Sequence, residues 1–223
     1  PHEYAHCLDH SRARVLIVHA DAFSRFQPVL RDRPFLRCVV VVGSTPEGCL
    51  NWQARLEKES PALDPAPTSG DEIAFWLWTS GSTGAPKAAV HVHDDWMRCC
   101  ESYARGVLDI QAHDVTFSSS KLFHAYGLGN GLMFPFYVAA ETVLHPGKAS
   151  PAVILANVDR ERPSLFFSVP TLYAAMLQET DRNNPYSFDS VRLAVSAAEQ
   201  LPADIFVRWR ERIHRGILGG IGS

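Results

Sequence analysis

The sequence predicts an α/β fold with mostly parallel sheets covered by helices. Short runs of β-branched and aromatic residues alternate with helical patterns over most of the 223 residues. This alternation is typical of parallel strands joined by helices. The composition, with 46% hydrophobic and 20% charged residues, is that of an ordinary globular protein, and a chain of this length can bury a sizeable core.

The predicted elements follow one another with one clear interruption. Residues 61–69 contain three prolines and predict a linker between two sheet subregions. Pro202 stands where the first turn of the last helix would begin, and Asp94 or Asp95 would cap an earlier one. We predict strands at 15–18, 38–42, 74–78, 89–92, 115–118, 142–144, 165–169 and 191–195, and helices at 22–30, 94–107, 151–162, 171–178 and 203–214, with a glycine-rich turn and an apolar helix between 118 and 142.

Charge, cysteine content and the length of the apolar stretches indicate which partners and which cellular compartment the sequence favours. The net charge of -3 offers no overall basic field for nucleic acid, and the arginines near the end of the chain are interpreted as a solvated helix face. The five cysteines have no C-x-x-C spacing, which indicates reduced thiols and a cytoplasmic protein. The longest apolar stretch, 127–140, is too short to span a membrane and contains Pro135.

The most informative segment runs from Trp78 to Lys87, directly after the predicted strand at 74–78. Glycines let the backbone approach a ligand, hydroxyls add donors, and a lysine adds a charge suited to phosphate. The segment therefore predicts a polyphosphate site, although a Ser/Gly-rich surface turn is an alternative on composition alone. It is not a Walker loop, because Ala85 and Pro86 intervene before the lysine. The candidate residues are Thr79, Ser80, Gly81, Ser82, Thr83, Gly84 and Lys87.

Two further segments carry candidate binding residues. His124 and Tyr126, followed by three glycines, suggest a turn that presents an aromatic wall to a ligand, or else a core aromatic turn. The small residues of Val195–Pro202, at the end of a strand, let a flat base lie against the backbone. Glu199 in this segment can also complement the dipole of the helix that follows.

One cluster competes as a metal site. His91 and His93 share one face of a strand, and Asp94 and Asp95 follow. No third His or Cys stands at a recognisable spacing, so we interpret these as structural histidines and assign no metal ligands.

The order of the residues resembles one known family. Thr-Ser-Gly-Ser-Thr-Gly-x-Pro-Lys at 79–87 resembles the phosphate-binding signature of the AMP-forming adenylate ligases, with Ala88 where that pattern continues with Gly. Lys-Leu-Phe-x-Ala-Tyr-Gly-Leu-Gly-Asn at 121–130 resembles the benzoate-CoA ligase branch, which usually has Phe in place of His124. Ser-Ala-Ala-Glu-x-Leu-Pro at 196–202 is similar to the adenine-binding turn, with Ala198 in place of Gly.

The resemblance implies a role for each segment. The loop residues and Lys87 would bind the β- and γ-phosphates of ATP, with Thr83, Lys87 and His124 as catalytic residues. The acid pocket would be lined by Ala125, Tyr126 and Gly127. The nucleotide would also contact Ala197, Ala198, Glu199, Gly220, Ile221 and Gly222.

The chain resembles part of the family's large N-terminal domain. The Thr-Glu that helps to hold Mg²⁺ in the family, and the small C-terminal domain with its catalytic lysine, are absent after Ser223, so we expect this fragment alone to be inactive. Gly219 stands where the benzoate branch usually has Asp.

The implied reaction joins an aromatic acid of benzoate or hydroxybenzoate type to CoA, with ATP and Mg²⁺, through an acyl-adenylate. The alternatives are a ligase for another acid or for a carrier-protein thiol, and a nucleotide-binding module without turnover. The sequence also leaves a homodimer open.

Overall fold

A computed structural model of the chain describes residues 2–79, 84–182 and 186–221 and confirms the α/β fold. The strands are Val15–His19 (β1), Cys38–Val42 (β2), Leu50–Asn51 (β3), Ile73–Thr79 (β4), Lys87–Val92 (β5), Val115–Ser118 (β6), Glu141–Val143 (β7), Leu165–Ser168 (β8), Leu193–Ser196 (β9) and Ile217–Gly219 (β10). The α-helices are His2–His10 (α1), Ala20–Phe26 (α2), Trp52–Leu56 (α3), His93–Cys99 (α4), Ala125–Leu128 (α5), Phe134–Tyr137 (α6), Pro151–Glu161 (α7), Pro170–Arg182 (α8) and Ala203–Ile213 (α9). A 3-10 turn follows α2 at Gln27–Val29, and π-helical turns occupy Cys100–Arg105 and Gly129–Met133.

The chain divides into two units. Unit 1 comprises Pro1–Ser69 and Phe75–Val90, and unit 2 comprises Gly70–Ala74 and His91–Ser223. Residues 61–69 form neither helix nor strand. Over the described ranges, no helix has both the length and the apolar character that a membrane crossing requires.

Unit 1 is built on a small parallel sheet and a strand pair. Strands β1, β2 and β3 lie side by side in that order and are parallel, with Val15 opposite Cys38 at the start of the pairing. Strands β4 and β5 form a separate two-stranded sheet, and their residues 75–79 and 87–90 belong to this unit. Among the described residues of this unit, the buried hydrophobic side chains are Leu8, Val18 and Val41.

Unit 2 is built on a five-stranded sheet in the order β10–β9–β8–β6–β7, in which every pair is parallel. All four residues of β8 are buried, as expected for a strand covered on both faces. Helices α7, α8 and α9 supply side chains to a core in which Tyr173 and Trp209 meet edge to face, with ring centroids 4.7 Å apart. The sheet of unit 2 is therefore packed against helices α7, α8 and α9.

The amino ends of three strands in unit 2 are held together by one buried carboxylate. Asp114, just before β6, accepts hydrogen bonds from Arg192 Nη2 at 2.7 Å and from Ser164 Oγ at 2.7 Å. Ser164 and Arg192 directly precede β8 and β9. Burial raises the pKa of Asp114, but the hydrogen bonds from Arg192 and Ser164 outweigh it and lower that pKa to about 2. This end of the sheet is structural, and the carboxyl ends are left for ligands.

The helix predicted at 94–107 is shorter and begins earlier. Helix α4 ends at Cys99, and the chain continues as the π-helical turn to Arg105. Neither Asp94 nor Asp95 is the N-cap, which is Val92. Both lie in the first turn, where Asp95 Oδ2 accepts a hydrogen bond from the Val92 N–H at 3.2 Å. A carboxylate in this position still satisfies an N–H at the start of the helix and complements the dipole.

Candidate active site

The described ends of the predicted phosphate loop are joined in unit 1. Thr79 ends β4 and Lys87 begins β5, and the Thr79 hydroxyl donates to the Lys87 carbonyl oxygen at 3.4 Å. Both residues are exposed, so a hydroxyl and an ammonium face solvent where an anion can reach them. Gly84 has φ of 126°, a conformation that favours glycine. The predicted residues Ser80, Gly81, Ser82 and Thr83 lie outside the described residues.

The carboxyl ends of three neighbouring strands in unit 2 carry serines. Ser118, Ser168 and Ser196 end β6, β8 and β9, and all three are buried. Ser119 Oγ and Ser168 Oγ share a hydrogen bond of 2.9 Å. The buried Ser196 Oγ has no hydrogen-bond partner among the described residues. Ligands of open α/β sheets bind at this edge, and a buried hydroxyl without a partner is suited to receive one.

The predicted adenine-binding turn borders a cavity of about 670 Å³ at this edge. Ala198 and Glu199, which precede α9, line the cavity. Gly220 and Ile221, which directly follow β10, line it as well. The Gly220 N–H donates to the Ser196 carbonyl oxygen at 2.7 Å, which brings the two segments together. The volume is in the range of small-molecule sites.

Not every predicted nucleotide residue borders this cavity. Ala197 is 6% exposed and is not part of its lining. Gly222 lies outside the described residues. Sequence reasoning missed the apolar lining side chains Leu201, Phe206 and Ile217. Phe206 stands one turn after Pro202, so the start of α9 would have indicated its face.

Ala198 adopts an uncommon conformation in this turn. Its φ is 75°, in the left-handed region where a Cβ is disfavoured. The adenine-binding turn that residues 196–202 resemble has glycine at this position. Local strain at a cavity wall is typical of a binding site, and here the chain keeps the turn although it lacks the glycine.

The predicted acid-binding segment is anchored to β9. The Tyr126 hydroxyl donates to the Val195 carbonyl oxygen at 3.1 Å, and its ring meets Phe167 edge to face. Burial raises the pKa of Tyr126, so the phenol stays a donor. The same carbonyl accepts a second hydrogen bond, from Tyr173 at 3.0 Å.

Gly127 allows the tight turn that presents this segment. It is buried, and a Cβ added there would lie 2.0 Å from the Lys121 carbonyl oxygen. Ala125 is exposed at the start of α5. The lining of the 670 Å³ cavity includes none of Ala125, Tyr126 and Gly127.

His124 lies at a different cavity from the adenine turn. This second cavity, of about 410 Å³, is lined by Lys121, His124 and Thr171 together with small and apolar side chains. The Lys121 ammonium donates to the carbonyl oxygens of His145 and Gly147, which fixes the neighbouring loop. His124 therefore lines a different cavity from Ala198 and Glu199.

Of the two histidines considered as a metal site, His91 is paired locally. His91 Nδ1 lies 3.2 Å from Asp95 Oδ2, and Asp94 Oδ2 accepts from Arg98 at 3.4 Å. Within the described ranges, no group of three His, Cys, Asp or Glu side chains is arranged to hold a metal ion.

Comparison with known proteins identifies relatives along the whole chain. The family described as AMP-binding enzyme matches residues 1–223. A benzoate–CoA ligase of Thauera aromatica is 43% identical over 99% of this chain and 41% of its own length. A 4-hydroxybenzoate–CoA/benzoate–CoA ligase of Rhodopseudomonas palustris is 37% identical over 99% of this chain and 41% of its own.

A solved structure adds a ligand-bound relative. An anthranilate CoA ligase in complex with anthranoyl-AMP has a TM-score of 0.95 and 36% identity, over 100% of this chain and 43% of that one. The chain spans about two fifths of the length of the curated relatives that it matches.

Proposed function

We propose, because this chain belongs to the AMP-binding enzyme family, that the complete protein is an aryl-CoA ligase. It would activate an acid of benzoate or hydroxybenzoate type with ATP, form an acyl-adenylate and transfer the acyl group to CoA. The observation that carries the proposal is the 670 Å³ cavity, where the turn at Ala198 and Glu199 meets Gly220 at the carboxyl edge of a parallel sheet.

The first step brings two anions together. A carboxylate oxygen of the acid attacks the α-phosphorus of ATP in line, the acyl–phosphate bond forms, and the bond to pyrophosphate breaks. The exposed Lys87 ammonium and the Thr79 hydroxyl would neutralise and orient the β- and γ-phosphates, together with Ser80, Gly81, Ser82, Thr83 and Gly84.

In the second step the thiol of CoA loses its proton, its sulfur attacks the acyl carbonyl carbon, and AMP leaves with the electrons of the anhydride bond. His124 lines the 410 Å³ cavity rather than the 670 Å³ one. Its place at the smaller cavity supports a role for His124 where the thiol is delivered. Ala125, Tyr126 and Gly127 would form the aryl pocket, with the Tyr126 ring as its aromatic wall.

The donors at the loop fit phosphate better than a bare metal ion. Hydroxyl and ammonium groups stand at its described ends, and the described residues hold no cluster of three metal-ligating side chains. Mg²⁺ would therefore be held mainly by phosphate oxygens of ATP, as is usual for this ion. When bound, it would neutralise charge on those oxygens.

The thiols support a proposal for the cellular setting. All five cysteines are free in the structure, and Cys100 is buried with a pKa raised to about 11 by burial. Unpaired thiols support a reducing compartment, and we propose the cytoplasm. Light scattering of the purified complete protein would measure whether it forms the homodimer that the sequence leaves open.

The decisive experiment is AMP release by the complete protein with ATP, Mg²⁺ and CoA over a panel of benzoates, cinnamates and fatty acids. We expect AMP with benzoates and little with the other acids. AMP with fatty acids or cinnamates instead would overturn the pocket assignment and keep the reaction. AMP only when a carrier protein replaces CoA would change the acceptor, and no AMP with any acid would favour a nucleotide-binding module.

A further inference from the structure

Helix α1 places two histidines against the strand that leads into the phosphate loop. His6 and His10 are one helical turn apart, and their rings stack with centroids 5.3 Å apart. Trp76 and Trp78 share one face of β4, since side chains alternate along a strand. We name these four residues the aromatic clamp; all of them belong to unit 1.

The clamp holds Trp78 from the side. The rings of His6 and His10 each meet Trp78 with centroids 5.9 Å apart at interplanar angles of 72° and 66°. His10 also contacts Trp76 at 5.9 Å. Trp78 is the residue before Thr79, so the ring contacts fix the strand next to the first described end of the loop.

His6 differs from His10 in making a hydrogen bond to the other end of the loop. Its Nε2 lies 3.1 Å from the Pro86 carbonyl oxygen. A carbonyl oxygen only accepts, so Nε2 must carry the proton. Proline has no N–H, and its carbonyl is the one main-chain polar group through which Pro86 can be tied down.

We propose that His6 is a positioning residue for the phosphate loop, an inference that rests on the proposed function. It touches Trp78 through its ring and Pro86 through Nε2, and these two residues directly precede the loop ends Thr79 and Lys87. His6 thereby fixes the spacing between the two arms and the site from which the Lys87 ammonium reaches the polyphosphate. His6 does not itself touch the nucleotide.

The test compares two matched substitutions in the complete protein. His6→Phe keeps an aromatic ring beside His10 and Trp78 but removes the N–H, and His10→Phe makes the same change one turn away. We expect His6→Phe to raise KM for ATP about 5- to 10-fold, in line with the loss of one hydrogen bond. KM for the acid should change less than 2-fold, and His10→Phe should change neither constant by more than 2-fold.

A third variant separates positioning from folding. His6→Gln restores an N–H donor and should recover part of the ATP effect, whereas a purely structural role would not be rescued in KM for ATP. The melting temperature of each variant is measured alongside. Equal effects of His6→Phe and His10→Phe, or a His6→Phe defect shared by ATP and acid and matched by a fall in Tm, would overturn the proposal.

A direct binding measurement keeps this test distinct from that of the reaction. ATP affinity is measured by calorimetry for the unsubstituted protein and for His6→Phe. If the unsubstituted protein binds ATP but releases no AMP with any acid, the ligase assignment fails, and a 5- to 10-fold weaker Kd in His6→Phe still supports positioning. If the unsubstituted protein does not bind ATP, the positioning role fails as well.

Discussion

The two units use the same kind of strand and reach very different burial. In unit 2 all of β8 is buried, and the core around Phe166 is continuous with α7, α8 and α9. In unit 1 the apolar residues Val15 and Ile17 of β1 are 49% and 55% exposed. A run of β-branched residues therefore predicts a strand in both units, but it does not predict how much of that strand is buried.

Each unit would perform a different task. Planar rings of an aryl acid or adenine need a fixed wall, and unit 2 offers one at the carboxyl edge of a buried sheet. A polyphosphate is held by N–H groups, hydroxyls and a lysine on a loop, and a loop can adjust when the ligand arrives. In unit 1 the described ends of that loop, Thr79 and Lys87, are both exposed and are joined to each other by one hydrogen bond of 3.4 Å. Substitutions that disturb the packing of unit 2 should thus affect stability, and those at the loop should affect catalysis.

The largest effect is expected for Gly127→Ala in unit 2. The added Cβ would meet the Lys121 carbonyl oxygen at 2.0 Å, so the turn before α5 must shift. We expect the unfolding free energy in urea to fall by about 3 kcal/mol. The control is Gly216→Ala, where nothing lies within 4 Å of the added atom. Equal stability of the two variants would show that the turn before α5 accommodates a Cβ at position 127 without cost.

Lys87→Ala should have the opposite profile in unit 1. Its ammonium is exposed, so removal should leave Tm within about 2 °C, but kcat/KM for adenylation should fall on the order of 100-fold. Lys148→Ala removes another exposed lysine and should have little effect on either quantity. Parallel losses of activity and stability in Lys87→Ala would make the loop a structural element and remove the contrast between the units.

Asp114 makes the stability of unit 2 depend on pH. Its folded pKa of about 2 lies below the ordinary value of 3.8, so its carboxylate stabilises the fold above pH 3.8 and loses this contribution as the pH falls toward 2. We expect the carboxylate to contribute about 2 kcal/mol at pH 7. The unfolding free energy of the unsubstituted protein, measured in urea, should fall as the pH decreases through this window. The unfolding free energy of Asp114→Asn should fall less. Asp64→Asn, at an exposed carboxylate, should follow the unsubstituted protein.

Much of the fold could be predicted from local pattern. Strands β2 and β6 have the predicted bounds because β-branched runs are flanked by polar residues and turns. Helix α1 could not be predicted, since it has few apolar positions and packs through tertiary contacts such as buried Leu8. Strand β10 has three residues, and its place in the sheet comes from pairing with β9.

The candidate site shows the same limit. Residue order indicated the turn at Ala198 and the segment at Tyr126, because each carries its own pattern of small or aromatic residues. The lining by Ile217 depends on β10 lying beside β9, which no local pattern encodes. The contact between His6 and Pro86 joins residues 80 positions apart and could only be seen in the fold.

Tyr126→Ala tests whether the wall in unit 2 recognises the acid. The ring would be lost while the Val195 carbonyl keeps its bond from Tyr173, so folding should be largely retained. We expect kcat/KM for benzoate to fall about 5-fold, with KM for ATP within 2-fold, since an aromatic contact contributes about 1 kcal/mol. Tyr126→Phe keeps the ring and serves as the control. A change confined to KM for ATP would remove Tyr126 from the acid pocket.

The smallest effect is expected for Ala198→Gly, which increases stability. Ala198 has φ of 75°, and an L-residue in this region costs about 1–2 kcal/mol. Glycine removes that cost but adds about 0.4–1 kcal/mol of entropy to the unfolded chain, which leaves a gain of about 0.5–1 kcal/mol. Ala156→Gly, inside helix α7, should instead lose about 1 kcal/mol in the same urea titration. A loss of stability in both variants would mean that the turn at the cavity wall is not strained, and that unit 2 accepts alanine there at no cost.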